Sequence, residues 1–185
     1  MPEKRCIDPR SFAKAVSVLD HPHIVRFHQA GPLPNGSWFI VMDYVSGQSL
    51  DQLSLRDVAP ENVMDWIRQT ASALAYLHRS GIIHGDLKPS NLLIEDQTAV
   101  RLIDFGFSMR AGADKKWRGG TTGFRAPERE TSMAADVFSM GRVIQFVLQK
   151  CCGKSTRPLE ELARRAAVVD PQERIGIEEL LEQLG

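Results

Sequence analysis

The chain has 185 residues, enough for one domain and few for two. Hydrophobic residues make up 43% and charged residues 25%, which is ordinary for a globular protein with a real core. Lys plus Arg balance Asp plus Glu at 23 each, so bulk charge argues against nucleic-acid or membrane-surface binding.

Apolar spacing and turn residues divide the chain into predicted elements. A helical stripe ending before His21-Pro22 comes first, two strands around the turn PLPNG follow, and helices dominate afterwards. In chain order, we expect a helix over 11–19, strands over 24–28 and 38–45, a short helix around 50–58, a helix over 61–79, a small hairpin of 92–94 with 100–103, a surface loop over 111–123, and helices over 136–148, 159–169 and 177–184.

The sequence also bears on the compartment. Cys151 and Cys152 are adjacent and Cys6 is far away, which is a poor disulfide framework and indicates free thiols in a reducing compartment. No run approaches eighteen apolar residues, and no apolar stretch follows the basic residues of the first ten positions. We therefore expect a cytoplasmic protein; export by a route that needs no such signal stays open.

Four polar residues form the strongest chemical pattern. Residues 82–94 read IIHGDLKPSNLLI, which places Asp86, Lys88 and Asn91 in a loop between a long helix and an apolar strand. There a carboxylate can accept the proton of a hydroxyl, a lysine can neutralise charge on a transferring phosphoryl group, and an amide can help to bind a divalent cation. Asp104 follows the hairpin and supplies a second ligand of the kind that Mg²⁺ prefers.

With its neighbours, this pattern resembles the protein kinases of the serine/threonine type. The ordered segments are HGDLKPSN at 84–91, DFG at 104–106, GTTGFRAPE at 120–128, DVFSMG at 136–141 and DPQER at 170–174. The resemblance implies an α+β fold with a mainly helical C-terminal lobe over 46–185 and a reduced N-terminal lobe and hinge over 1–45. It also implies ATP and Mg²⁺ as cofactors and a protein as the substrate.

The resemblance further implies a role for each matching residue. Asp86 is the catalytic base, Lys88 stabilises charge and contacts the nucleotide, Asn91 and Asp104 hold Mg²⁺, and Thr121 shapes the acceptor site. The implied structural and adenine-contacting residues are His84, Phe105, Val16 and Phe27 in an apolar spine, Glu128 and Arg174 in a buried ion pair, Asp136 beneath the catalytic loop, and Met42, Asp43, Tyr44 and Val45 as gatekeeper and hinge.

The sequence departs from the family pattern in four places. It contains no G-x-G-x-x-G and no strand carrying a phosphate-gripping lysine, and Phe12 stands where that lysine's glutamate partner belongs. Gly85 replaces the arginine that clamps a phosphorylated loop, which predicts that loop phosphorylation does not switch the protein. Lys115, Lys116 and Arg118 are the alternative anion ligands there, although a solvated loop is the simpler interpretation. The stretch from 141 to 159 has no room for a substrate-docking helix.

These departures leave several functions open. The first is a phosphotransferase with reduced activity, and the second is an inactive protein-binding module of the same fold. In the second case, Phe12, Val16, Phe27, Trp38 and Phe39 would form an uncovered apolar surface for a partner or a second copy. A third is a chain whose natural start lies upstream. A fourth, a sugar- or aminoglycoside-kinase relative, is disfavoured by Lys88 and by APE at 126–128.

Overall fold

The computed structural model describes residues 19–112, 120–128, 130–151 and 157–185. Within those ranges, strands dominate the first part and helices the second. In order, they are β1 (Phe27–Pro32), β2 (Trp38–Met42), β3 (Gln48–Ser49), α1 (Pro60–Arg79), β4 (Ile82–Ile83), a 3₁₀ turn (Pro89–Asn91), β5 (Leu92–Glu95), β6 (Ala99–Leu102), β7 (Met109–Arg110), α2 (Met133–Lys150), α3 (Arg157–Ala166) and α4 (Ile177–Gln183).

Helix α1 is the central core element. It begins at Pro60, whose fixed φ suits the first helical position, and it ends before Gly81, whose φ is +70°. Its predicted stripe is almost completely buried, and burial of one such leucine stabilises the fold by about 1.5–3 kcal/mol. The stripe consists of Val63, Ile67, Ala71, Leu74 and Leu77.

Two small sheets flank the loop that follows α1. Strands β5 and β6 pair antiparallel as predicted, and β3 adds to β5 with Gln48 opposite Ile94. Strand β4 pairs with β7, Ile83 lying opposite Met109. Residues 84–91 are therefore held at both ends, by β4 on one side and by β5 on the other.

The segment before the N-terminal ribbon pairs with the sheet of this core. Strands β1 and β2 pair antiparallel across the predicted turn, with Phe27 opposite Met42. Ile24 lies outside the ribbon and forms a parallel bridge to Leu102 of β6, where the Val25 N–H donates to the Leu102 carbonyl at 3.0 Å. The predicted strand over 24–28 is thus displaced, because residues 23–25 bind a different sheet from residues 27–32.

Helices α2 and α3 pack closely because of one glycine. A Cβ on Gly141 would lie 2.9 Å from the Ala166 Cβ and 2.9 Å from the Ala167 nitrogen. Only a residue without a side chain allows this approach. Ser132 caps α2 by accepting from the Ala135 N–H at 3.0 Å, so the helix begins earlier than the predicted Asp136.

The α+β class and the mainly helical second part are confirmed. The short helix expected around 50–58 was wrong. That segment forms turns. The Leu50 N–H donates to the Leu92 carbonyl at 2.9 Å, and Leu55 is buried in the core. The apolar residues of this segment therefore pack at the edge of a sheet and do not form one face of a helix. The predicted helix over 11–19 lies outside the described residues except for Leu19.

None of the helices described here is both long and apolar enough to span a membrane.

Candidate active site

Asp86 lies at the centre of a three-residue polar contact. Its side-chain Oδ2 accepts from Lys88 Nζ at 2.6 Å, and its Oδ1 accepts from the Thr121 hydroxyl at 2.9 Å and from the Thr121 N–H at 2.8 Å. Lys88 Nζ also donates to Thr121 Oγ1 at 2.8 Å. Asp86 is only 4% exposed, so its carboxylate is held in one orientation by charged and polar donors.

Asn91 and Asp104, the two residues predicted to bind metal, are joined through the backbone. The Ile103 N–H donates to the Asn91 carbonyl at 3.0 Å, which places Asp104 one residue from that contact. The Asn91 side-chain amide donates to the Asp86 carbonyl at 2.9 Å, so its nitrogen is engaged and its oxygen is the atom left to bind a cation. Asp104 is exposed and has a φ of +61°, a left-handed backbone that is uncommon for a residue other than glycine.

Asp136 binds the backbone of the loop that carries Asp86. Its Oδ2 accepts from the His84 N–H at 2.7 Å, and its Oδ1 accepts from the Gly85 N–H at 2.8 Å. His78 at the end of α1 reaches the same carboxylate, with Nε2 3.0 Å from Oδ2. The sequence reasoning missed His78, for which the only signal was a histidine in the last turn of a helix.

Three rings stack behind the loop. Phe105 packs edge-on to Phe27 at 5.2 Å between centroids and to His84 at 5.1 Å. Val16, the fourth predicted member of this spine, lies outside the described residues. Because Phe27 pairs with Met42 in the ribbon, this stack is the physical link between the ribbon and Asp104.

His84 is completely buried, and both of its ring nitrogens contact the backbone. Its Nε2 lies 3.2 Å from the Ile103 carbonyl, and its Nδ1 accepts from the Asp86 N–H at 3.3 Å, which together define a tautomer with the proton on Nε2. Desolvation lowers the pKa of His84, and the carboxylates of Asp136, Asp86 and Asp104 only partly oppose that effect. The ring therefore connects the backbone of 103 to that of 86.

Gly85 is a structural requirement at its position. Its φ is +83°, and a Cβ there would lie 2.6 Å from the Phe107 carbonyl oxygen. The Phe107 backbone thus occupies the space that the side chain of an arginine at position 85 would need. Ser108, another residue that sequence reasoning missed, donates its hydroxyl to the His84 carbonyl at 3.0 Å and fixes this approach.

Glu128 and Arg174 form a bidentate ion pair at 2.8 and 3.1 Å. The guanidinium also donates to the carbonyls of Ala134, Val168 and Val169, and the Arg174 side chain is 1% exposed. The pair joins the segment after Thr121 to the turn before α4.

The hinge candidates form no hydrogen bond with Asp86, Lys88 or Thr121 among the described residues. Met42 ends β2, and the Asp43 N–H donates to the Arg26 carbonyl at 2.9 Å. No hydrogen bond within the described part of the chain uses the backbone of Tyr44 or Val45. The Tyr44 side chain is 92% exposed. Lys115, Lys116 and Arg118 lie outside the described residues.

Comparison with known proteins places this site in a family. A model described as the protein kinase domain matches residues 10–152. This chain belongs to the protein kinase family, and the matched range contains Asp86, Asn91 and Asp104.

Curated relatives carry serine/threonine-protein kinase names. The chain is 39% identical over 145 residues to serine/threonine-protein kinase kin-29 of Caenorhabditis elegans, covering 73% of this chain and 17% of that protein. It is 30% identical over 212 aligned positions to the probable serine/threonine-protein kinase KIN1 homolog of Encephalitozoon cuniculi, covering 97% and 37%. It is 36% identical over 155 residues to serine/threonine-protein kinase PknB of Mycolicibacterium smegmatis, covering 75% and 25%. The alignments thus span well under half the length of these relatives.

Proposed function

We propose that the chain transfers the terminal phosphoryl group of ATP, with Mg²⁺, to a Ser or Thr hydroxyl of a protein substrate. The contact of Asp86 with Lys88 and Thr121 carries this proposal. It brings together a candidate base, Asp86, a neighbouring cation, Lys88, and the hydroxyl of Thr121, which lies 35 positions after Asp86 in the sequence. Phosphoryl transfer depends mainly on such positioning and charge stabilisation.

The hydrogen bonds of Asp86 indicate where an acceptor hydroxyl would bind. A carboxylate offers about four acceptor sites, and three are filled by the two donors of Thr121 and by Lys88. The remaining site is on Oδ2, beside the Lys88 ammonium. A substrate hydroxyl that donates there would pass its proton to Asp86 while its oxygen faces the phosphoryl group.

Asn91 and Asp104 fit a magnesium ion chemically. An amide oxygen and an exposed carboxylate are hard oxygen ligands, and Mg²⁺ takes few protein ligands alongside substrate phosphates. When bound, the ion would neutralise charge on the phosphate oxygens. Asn91 and Asp104 would hold the ion, and the backbone of residues 43–45 would bind the edge of the adenine ring.

A second candidate function is protein binding without catalysis. Ile40, Val41 and Met42 are each about two-fifths exposed, and successive strand residues point to opposite faces. The described residues therefore cover neither face of the ribbon completely. The patch differs from the predicted one, because Phe27 and Phe39 are partly buried. A partner protein or a second copy of the chain would be the occupant, and we propose neither a nucleic acid nor a membrane.

Sedimentation tests the second function. A self-associating chain should become a monomer in Val41→Lys, whereas Val169→Lys, which changes an equally apolar exposed residue far from the ribbon in sequence, should leave the assembly intact. A monomeric wild type that does not bind the dye ANS would contradict this candidate.

A thermal-shift titration with ATP tests the first function. Binding to the folded state raises the melting temperature by mass action, and the rise should need Mg²⁺ and disappear in Asp104→Ala. Asp65→Ala, an exposed carboxylate in an ion pair on α1, is the matched control and should keep the shift. Transfer of radiolabel to a Ser/Thr peptide, lost in Asp86→Ala, would complete the test. No shift at millimolar ATP would overturn the proposal for this form of the protein.

A further inference from the structure

Helix α2 binds two separate segments of the site through side chains that follow one another along the helix. Residues 136 and 139 are neighbours on the helix surface, and so are residues 139 and 142, because each pair is three positions apart. Asp136 binds the backbone N–H groups of the loop that carries Asp86. Ser139 and Arg142 contact the turn that carries Thr121.

The contacts with that turn are to two successive carbonyls. The Ser139 hydroxyl lies 2.9 Å from the Phe124 carbonyl and 3.1 Å from the Ala135 carbonyl of its own helix. Arg142 Nε donates to the Gly123 carbonyl at 2.7 Å. Gln145 orients the guanidinium by accepting from Arg142 Nη1 at 2.6 Å. A donor with a positive charge makes the stronger kind of hydrogen bond to a carbonyl.

The turn transmits this anchoring to Asp86. The Phe124 and Arg125 N–H groups both donate to the Thr121 carbonyl at 3.1 Å, so residues 121–125 form one hydrogen-bonded unit. At its other end, Thr121 binds Asp86 Oδ1 through its N–H and its hydroxyl. Gly123, with a φ of +93°, allows its carbonyl to face α2.

We propose that Arg142, assisted by Ser139, is a positioning residue for phosphoryl transfer. It holds the Thr121 turn at a fixed distance from the Asp86 loop, because both are bound to the same helix, α2. The sequence alone does not predict this role, since Arg142 is only a polar residue in a largely apolar predicted helix. The effect of Arg142 on phosphoryl transfer rests on the proposed function, whereas its anchoring of the Thr121 turn does not.

Amide hydrogen exchange of the whole chain, followed by mass spectrometry, tests the anchoring without any activity. Arg142→Met keeps the aliphatic stem and removes the donors. We expect exchange in residues 120–128 to accelerate about tenfold, as expected for loss of one charge-assisted hydrogen bond, and exchange in residues 82–88 to stay within twofold. Ser139→Ala should accelerate the same segment to a smaller extent.

Arg164→Met is the matched control. It removes an exposed arginine that pairs with Glu161 on α3, and exchange in 120–128 should not change. Unchanged exchange in 120–128 of Arg142→Met, or equal acceleration in both segments and in α1, would overturn the proposal. The second outcome would mean general loosening of the fold.

The catalytic consequence is measured as the split between kcat and affinity. In Arg142→Met, kcat for a Ser/Thr peptide should fall about tenfold while the Mg²⁺-dependent thermal shift with ATP stays as in wild type. A fall in the ATP shift with unchanged kcat would contradict a positioning role. If wild type transfers no phosphate, the proposed function fails, and the exchange measurement still decides whether Arg142 anchors the turn.

Discussion

Thr121 donates both its backbone N–H and its hydroxyl to the same oxygen of Asp86, at 2.8 and 2.9 Å. The same hydroxyl oxygen accepts from Lys88 at 2.8 Å. One side chain thus fixes the orientation of the carboxylate and the position of the ammonium. The family resemblance suggested an acceptor-shaping role, and the contacts add a direct electrostatic one.

The first prediction concerns that hydroxyl. Thr121→Ala removes two hydrogen bonds to charged groups. A loss of transition-state stabilisation equal to one such bond, about 1.5–3 kcal/mol, should lower kcat for a peptide acceptor roughly tenfold to a hundredfold. Thr121→Ser keeps the hydroxyl and should stay close to wild type. Equal losses in both variants would show that the threonine methyl group, not the hydroxyl, matters.

The second prediction concerns Gly85, next to Asp86. Gly85→Ala should lower the free energy of unfolding by about 2–4 kcal/mol, because it adds the cost of a left-handed backbone to a contact with the Phe107 carbonyl. Urea denaturation measures this change.

Gly81→Ala is the control for Gly85→Ala. Its φ is +70°, but an added Cβ meets nothing within 4 Å, so only the backbone cost of about 1–2 kcal/mol applies. Similar losses in the two variants would mean that the approach of Phe107 to Gly85 relaxes without cost.

The third prediction concerns the buried ion pair. Arg174→Lys cannot reproduce the bidentate contact with Glu128 or the three further carbonyl contacts, and it should destabilise the fold by about 2–4 kcal/mol. Arg164→Lys, in an exposed pair with Glu161, should leave the urea midpoint unchanged. A midpoint for Arg174→Lys equal to that of wild type would contradict the structural importance of this pair.

The fourth prediction concerns pH. Burial lowers the pKa of His84 below the ordinary value of 6.5, so near pH 6.5 this residue binds a proton in the unfolded chain but not in the folded chain. The free energy of unfolding should therefore fall as the pH decreases from 7.5 through 6.5. His84 alone contributes at most about 1.4 kcal/mol per pH unit to this fall. Desolvation also lowers the pKa of His21 and His23, which adds to the same trend.

The variant His84→Phe separates the contribution of His84. It keeps an aromatic ring against Phe105 but has no proton to gain, so unfolding free energy measured from pH 7.5 to 5.5 should depend less steeply on pH. An unchanged slope would mean that other groups cause the acid sensitivity.

Sequence reasoning predicted the long helices and the β5–β6 hairpin correctly, but it was wrong for the segment around 50–58. The stripe from Val63 to Leu77 fits only a helix, because its spacing puts every apolar residue on one face. Leu50 and Leu55 have a spacing that suits several structures, and the residue to which the Leu50 N–H donates, Leu92, lies 42 positions later. Local pattern alone does not distinguish between these structures.

The sequence by itself determined three things: the order of Asp86, Lys88, Asn91 and Asp104, the long helices that frame them, and the family to which the chain belongs. Only the tertiary structure decided which groups meet. Thr121 binds Asp86, Asp136 binds the N–H groups of His84 and Gly85, and Arg142 binds the turn between them. These hydrogen bonds need alignment to within a few tenths of an ångström, and side chains from distant segments reach it only when helix packing fixes where each one stands.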